Sequence, residues 1–216
     1  GLDLIGELRA LMKADGRFSD DSKFGDYSNP LGQSFGILAL ERATPEGAPQ
    51  AAVDFLLTAQ CTDGGFPDAF PKAGAKCSPS PDATGLALQA LVAGGADCPA
   101  TQARAWLKAH QQADGSFADS AVDPAKPAVG NVNSTSYAAL GLIAAGESTK
   151  TVADYLGSVQ SSDGGLAIKP ASGDKKSNVY ATAQALDAFA GSSFLTIGPS
   201  PITPKALACS QTATST

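Results

Sequence analysis

Side chains able to do chemistry are few in this sequence, and they are scattered. The single histidine, His110, stands beside Gln111 in the stretch "AWLKAHQQADGSF". A catalytic zinc takes three protein ligands, and no cysteine or carboxylate cluster with zinc spacing joins His110. His110 therefore reads as an exposed helical residue. Adjacent carboxylates occur at Asp20-Asp21, in the polar stretch "RFSDDSKFGDY", which reads as a solvated loop. Polysaccharide cleavage uses two carboxyl groups facing one another across a bond. Glu41, Glu46, Glu147 and Asp187 are available, but no spacing pairs them. Four cysteines, Cys61, Cys77, Cys98 and Cys209, allow three pairings. Neither a metal nor a cofactor is implied.

Composition narrows the classes further. The 216 residues carry a net charge of −6 and a pI near 4.6, which excludes a basic stripe of the kind that neutralises phosphates. Nucleic acid is not an expected partner. The one local basic cluster, Lys175-Lys176, lies in a polar loop. No apolar run approaches the roughly 20 residues of a membrane-spanning helix. The numbering starts at Gly1 inside a helical pattern, which reads as a mature or trimmed chain. The end, "GPSPITPKALACSQTATST", is rich in Pro, Ser and Thr and reads as a tail or linker.

The elements that would hold any site come from a repeat. Asp-Gly pairs begin at Asp15, Asp63, Asp114 and Asp163, spaced 48, 51 and 49 residues apart. A fixed period near 50 marks a repeat architecture. Before three of the pairs the sequence reads aromatic-Leu-x-x-x-Gln: Phe55-Leu56 with Gln60, Trp106-Leu107 with Gln111, and Tyr155-Leu156 with Gln160. Leu and Gln, four apart, share a helix face. Helix ends leave backbone groups unpaired. The Gln and Asp side chains can bond them while glycine permits the turn.

A second, more apolar helix follows each turn: "SFGILALERA" from Ser34, "TGLALQALVA" from Thr84, "SYAALGLIAA" from Ser136 and "TAQALDAFAG" from Thr182. These are rich in Ala, Gly and Leu and nearly uncharged, as helices buried on most sides should be. The first helices carry Glu7, Arg9, Asp54, Arg104, Lys108 and Asp154 and read as outer ones. The fold class is therefore all-α, four outer–inner hairpins over about 1–47, 48–97, 98–147 and 148–192, followed by a tail over 193–216. Asn29-Pro30, Asp82, Asn133 and Asn178 are suitable N-caps for the inner helices, and Gly94-Gly95 and Gly146 suit C-terminal stops.

The pattern aromatic-Leu-x-x-x-Gln-x-x-Asp-Gly-x-Phe resembles the QW motif of terpenoid cyclases and the related repeats of protein prenyltransferase beta subunits. The final aromatic, usually Trp there, is Phe18, Phe66 and Phe117 here, and Leu166 in the fourth copy. The resemblance implies an α/α toroid, its inner helices running parallel around a central cavity. Closed toroids of those families have more hairpins than four, so an incomplete or open ring is expected. The catalytic motifs of the resembled families are missing: no Asp-x-Asp-Asp acid, no zinc set and no Cys-Gly-Glu-Gln thioester sequence.

The hairpin arrangement discriminates among the cysteine pairings. Cys61 and Cys77 fall at one end of the stack, and Cys98 and Cys209 at the other, so Cys61–Cys77 and Cys98–Cys209 are expected. The first closes a loop of about 15 residues, worth roughly 3 kcal/mol by chain entropy. Disulfides imply an oxidising compartment, hence secretion or a cell surface, and the alanine-rich composition hints at a bacterium. Long loops gather where the inner helices begin, and helix N-termini there present partial positive charge. Asp26, Tyr27, Asn29, Asp82, Asn131, Asn133, Asn178 and Tyr180 are the candidate binding residues at that end, with Gln89, Gln184 and Asp187 inside inner helices. Each can equally serve as a cap, a turn former or a helix–helix contact. The functional expectation is a non-catalytic secreted or surface domain binding a small hydrophobic molecule or a protein. The alternatives are a cyclase- or prenyltransferase-like enzyme with a non-standard active site, and a cobalamin-carrier-like domain.

Overall fold

The computed structural model describes residues 1–20, 22–119, 128–173, 176–198, 201–202 and 207–209. Asp21, Lys175 and most of the tail lie outside them. Over the described residues the chain is all-helical, with isolated bridges in place of strands. The helices alternate between two layers. α1 (Leu4–Ala10), α3 (Gln50–Leu57), α5 (Asp97–His110) and α7 (Lys150–Ser158) form the outer one. α2 (Pro30–Ala43), α4 (Pro81–Ala93), α6 (Val132–Ala144) and α8 (Val179–Ala190) form the inner one, packed in the order α2–α4–α6–α8.

Residue size explains the inner layer. From Pro81 to Val92 every residue of α4 except Asp82 is buried. A Cβ on Gly85 would stand 2.2 Å from the Tyr137 carbonyl oxygen, and one on Gly141 would stand 2.6 Å from that of Gly85. The α4 and α6 backbones therefore touch, and only glycine permits it. The outer helices α3, α5 and α7 bury one stripe each, such as Ala100, Ala103, Trp106 and Leu107 on α5, whereas α1 buries no residue fully.

The repeated turn uses its residues in a fixed way. Asp63, Asp114 and Asp163 accept a bond from the backbone N–H two residues on, in Gly65, Ser116 and Gly165. Gln60, Gln111 and Gln160 donate to the carbonyls of Gly64, Gly115 and Gly164. The next residue, Phe66, Phe117 or Leu166, donates its N–H to Thr84, Thr135 or Thr182 of the following inner helix. Gln60 also reaches the Pro99 carbonyl of α5, and Gln111 reaches Thr151 Oγ1 of α7, so the motif glutamine ties each repeat to the next. In the first repeat Met12 stands where the glutamine should be. Gln33, at the threonine's position on α2, does both jobs: it accepts from Phe18 N and donates to the carbonyls of Gly16 and Ala52.

The inner helices begin three or four residues ahead of the apolar runs read from the sequence. Asn29 and Asn178 are N-caps as expected. The caps of α4 and α6 are Ser80 and Asn131 rather than Asp82 and Asn133. Pro81, with its fixed φ and missing N–H, fits the first helical position, so the cap moves to the residue before it. Gly95 and Gly146 take left-handed φ of +73° and +77° at the helix ends. Both disulfides are present, Cys61–Cys77 and Cys98–Cys209, with Cα atoms 5.8 and 4.6 Å apart.

The first residues after α8, at the start of the expected tail over 193–216, pack against the inner layer. Ser193 and Leu195 are wholly buried, and Leu195 belongs to the core. Arg42 of α2 donates to the carbonyls of Phe194 and Ile197, and Gln89 of α4 accepts from Phe194 N. Composition misread this stretch because two apolar side chains and one distant arginine outweigh the proline and serine around them.

Candidate functional site

The 3.6-residue period brings three rungs of the inner layer to one face. The first rung, at the helix N-termini, is Leu31, Asp82, Asn133 and Tyr180; the second is Phe35, Leu86, Tyr137 and Gln184; the third is Leu38, Gln89, Leu140 and Asp187. Gln184 Nε2 lies 3.5 Å from Tyr137 Oη, bridging α8 and α6. Phe194 stands across the third rung. With Tyr137, Leu140, Ala183, Gln184 and Asp187 it lines a cavity of ≈ 230 Å³. On its other side, with Phe35, Leu38, Ala39, Arg42, Ile197 and Gly198, it lines one of ≈ 460 Å³. The rings of Phe194 and Phe35 are 5.7 Å apart. The chain's own segment thus covers the C-terminal end of this face.

At the N-terminal end of the face sits Asp82. Ser134 Oγ donates to its Oδ2 at 2.6 Å. Burial pushes the Asp82 carboxyl above its ordinary value, and the charges of Asp68 and Asp119 push it the same way, against the Ser134 bond. Asp68 accepts from Ser80 Oγ, and Asp119 pairs with Lys169 at 2.5 Å. These carboxylates stand near the start of α4 and α6, where the helix ends present positive partial charge. Burial also raises the Tyr137 hydroxyl, and the nearby Asp82 adds to it. Two buried carbonyl oxygens on the face, Asn133 Oδ1 and Gln184 Oε1, have no hydrogen-bond partner.

Six of the eleven candidate residues read from the sequence thus share the face: Asp82, Asn133, Tyr180, Gln89, Gln184 and Asp187. The other five hold local structure. Asn29, Asn131 and Asn178 cap helices. Asp26 accepts from Ser28 N, Asp20 N and Arg17 Nη1, which hold its carboxyl well below the usual range. Tyr27 is exposed in the same loop. Sequence reasoning missed Ser134 and Phe194. Ser134 was findable, since it lies one residue after Asn133 and faces α4; Phe194 was not, because its partners are over a hundred residues away. Among the described residues no three His, Cys, Asp or Glu side chains are grouped to hold a metal, and no helix is long and apolar enough to cross a membrane.

No protein-family profile and no curated relative matches the chain. Solved structures do. The type II terpene cyclase MstE from Scytonema, without ligand, is similar at a TM-score of 0.59 and 20% identity over 86% of this chain and 58% of that one. A variant of MstE in complex with its substrate geranylgeranyl dihydroxybenzoate gives 0.59 and 21% over 86% and 57%. A third, in complex with the product merosterolic acid A, gives 0.59 and 20% over 86% and 58%. The fold is therefore terpenoid-cyclase-like, and the chain spans under three fifths of those proteins' length.

Proposed function

We propose that this chain is a non-catalytic binding domain, secreted or displayed at a cell surface, in which four hairpins form an open arc of an α/α toroid. The pocket is the central face of that arc, and the ligand is a small apolar molecule carrying hydroxyl donors. The observation that carries this is the cavity of ≈ 230 Å³ in which Tyr137, Gln184 and Asp187 stand among Leu140, Ala183 and Phe194. Apolar walls with a few convergent polar groups suit a small apolar ligand, and those three side chains offer hydrogen-bond partners to its hydroxyls. The two disulfides support an oxidising compartment. The similar MstE structures hold a prenylated dihydroxybenzoate, an apolar chain with hydroxyl groups, which supports the same ligand class for this fold.

Calorimetric titration with the terpenoid alcohol farnesol tests the reading. One-to-one binding is expected, weakened about tenfold, or 1.4 kcal/mol, by Gln184→Leu with no loss of melting temperature. Failure of farnesol and of geranylgeranyl dihydroxybenzoate to bind overturns it.

One observation favours an enzymatic alternative. The raised Asp82 carboxyl, bonded by Ser134, is a group able to hold a proton beside an apolar wall, as a general acid must. Incubation with geranylgeranyl dihydroxybenzoate decides it. A cyclised product, lost in Asp82→Asn, would replace the non-catalytic reading.

A further inference from the structure

The fourth repeat ends in a face that the first three repeats each use. In those, the turn glycine is jammed against the next outer helix: a Cβ on Gly16, Gly64 or Gly115 would stand 1.9, 2.7 or 2.3 Å from the carbonyl oxygens of Ala51, Gln102 and Thr151. A Cβ on Gly164 would meet nothing within 4 Å. Gln33, Gln60 and Gln111 each reach across to the next outer helix, whereas among the described residues the Gln160 side chain bonds only Gly164. The inner layer shows the same contrast. Pro30, Ser34 and Ile37 of α2, and Pro81, Gly85, Leu88 and Val92 of α4, are buried along the side facing the next inner helix. Their counterparts on α8 are Val179, Ala183, Leu186 and Ala190, one apolar stripe at helical spacing, and all four are exposed. Val179 is 73% exposed and Leu186 61%.

The opposite edge of the chain carries the matching half. On α2 the side facing away from α4 carries Gly32 and Ala39, small residues like the Ala83 and Ala90 that α4 offers to α2, while Gly36 between them is already covered by Phe18. A Cβ on Gly32 would touch only Asn29 Oδ1, at 3.7 Å. Asp3 stands where Ala51, Gln102 and Thr151 stand in the later repeats, flanked by Leu2 and Leu4, which are 82% and 65% exposed. Knob residues thus end one edge and small residues open the other.

We propose that a second copy of this chain docks head to tail, its α1–α2 edge seated on the α7–α8 edge of the first. The new junction continues the repeat interface already made three times within the chain. Gln160 then reaches the outer helix it lacks, at the α1 N-terminus of the second copy, and the stripe from Val179 to Leu186 packs along the side of α2 from Gly32 to Ala39. Such a contact joins two different surfaces, so it does not close on itself at two copies unless the ring closes.

Sedimentation equilibrium from micromolar to millimolar protein tests it, with two edge variants at exposed positions. Wild-type mass is expected to rise with concentration. Leu186→Arg and Gly32→Arg are each expected to remain monomeric alone, with unchanged melting temperature. Mixed together, they are expected to form a one-to-one dimer and no larger species, because each supplies the intact edge that the other lacks. A wild type that is monomeric at every concentration overturns the proposal. So does a mixture that stays monomeric, or a dimer that Leu186→Arg abolishes and Gly32→Arg leaves intact, which would mean that two like edges pair.

Discussion

The three internal turns and the terminal one have nearly the same sequence and different surroundings. In "QCTDGGF" and "QSSDGGL" the aspartate, the left-handed glycine and the glutamine make the same local bonds. Only in the first case does an outer helix stand behind the glycine. A motif therefore encodes its own turn completely and its neighbour only by leaving room. The difference between two such turns measures what the neighbour adds.

The largest expected contrast is between the glycines themselves. Gly115→Ala meets both a left-handed φ and a carbonyl oxygen at 2.3 Å. It should cost about 3 kcal/mol or more, the sum of backbone strain and overpacking. Gly164→Ala has the φ without the collision and should cost about 1 kcal/mol. Urea denaturation of the two variants checks this. Equal losses would mean that the next helix contributes nothing to the turn's preference for glycine.

A smaller contrast separates the glutamines. Gln33→Leu leaves Phe18 N and the carbonyls of Gly16 and Ala52 without a partner in a buried site. A loss of about 2–3 kcal/mol is expected. Gln160→Leu removes one bond at an exposed turn and should stay within about 0.5 kcal/mol. Thermal unfolding of the pair sharpens the comparison, since the two residues differ mainly in whether a following helix is there to be tied.

The smallest effect is electrostatic and sets the packed middle of the layer against its open edge. The folded-state pKa of Asp82 lies above the ordinary 3.8, mainly because the carboxyl is buried. The folded state then holds this proton more tightly than the unfolded chain, so stability falls as pH rises from near 3.8 through the raised value. Asp82→Asn should melt slightly higher than the wild type at neutral pH. The gain should vanish as the pH is lowered toward 3.8. A gain that persists at low pH would assign the effect to packing rather than to charge.

How much of this was legible follows from where each signal lies. The hairpins, their order and both disulfides were readable, because the repeat period and the ends of the stack place the cysteines without knowledge of side-chain contacts. The caps shifted at α4 and α6, where Ser80-Pro81 and Asn131 compete with equally polar residues two positions on. The face of the candidate site was half readable. Asp82, Gln89 and Gln184 are conspicuous as polar residues in apolar helices, whereas cap asparagines look the same whether or not a ligand is near. Gln33 was hidden by position: it replaces the motif glutamine from another helix, and only the absence of glutamine at Met12 pointed to a substitute. Phe194 carried no local signal.

The Arg42 clasp on Phe194 and Ile197 also orders events in time. Contacts between successive inner helices join residues about one repeat apart, whereas the clasp joins residues 152 and 155 positions apart. Closing a longer loop costs more chain entropy, and contacts of high sequence separation form late. The inner layer can therefore assemble pair by pair from its local contacts. The seating of Phe194 against Gln89 and Phe35 is expected last, on a layer that has already formed.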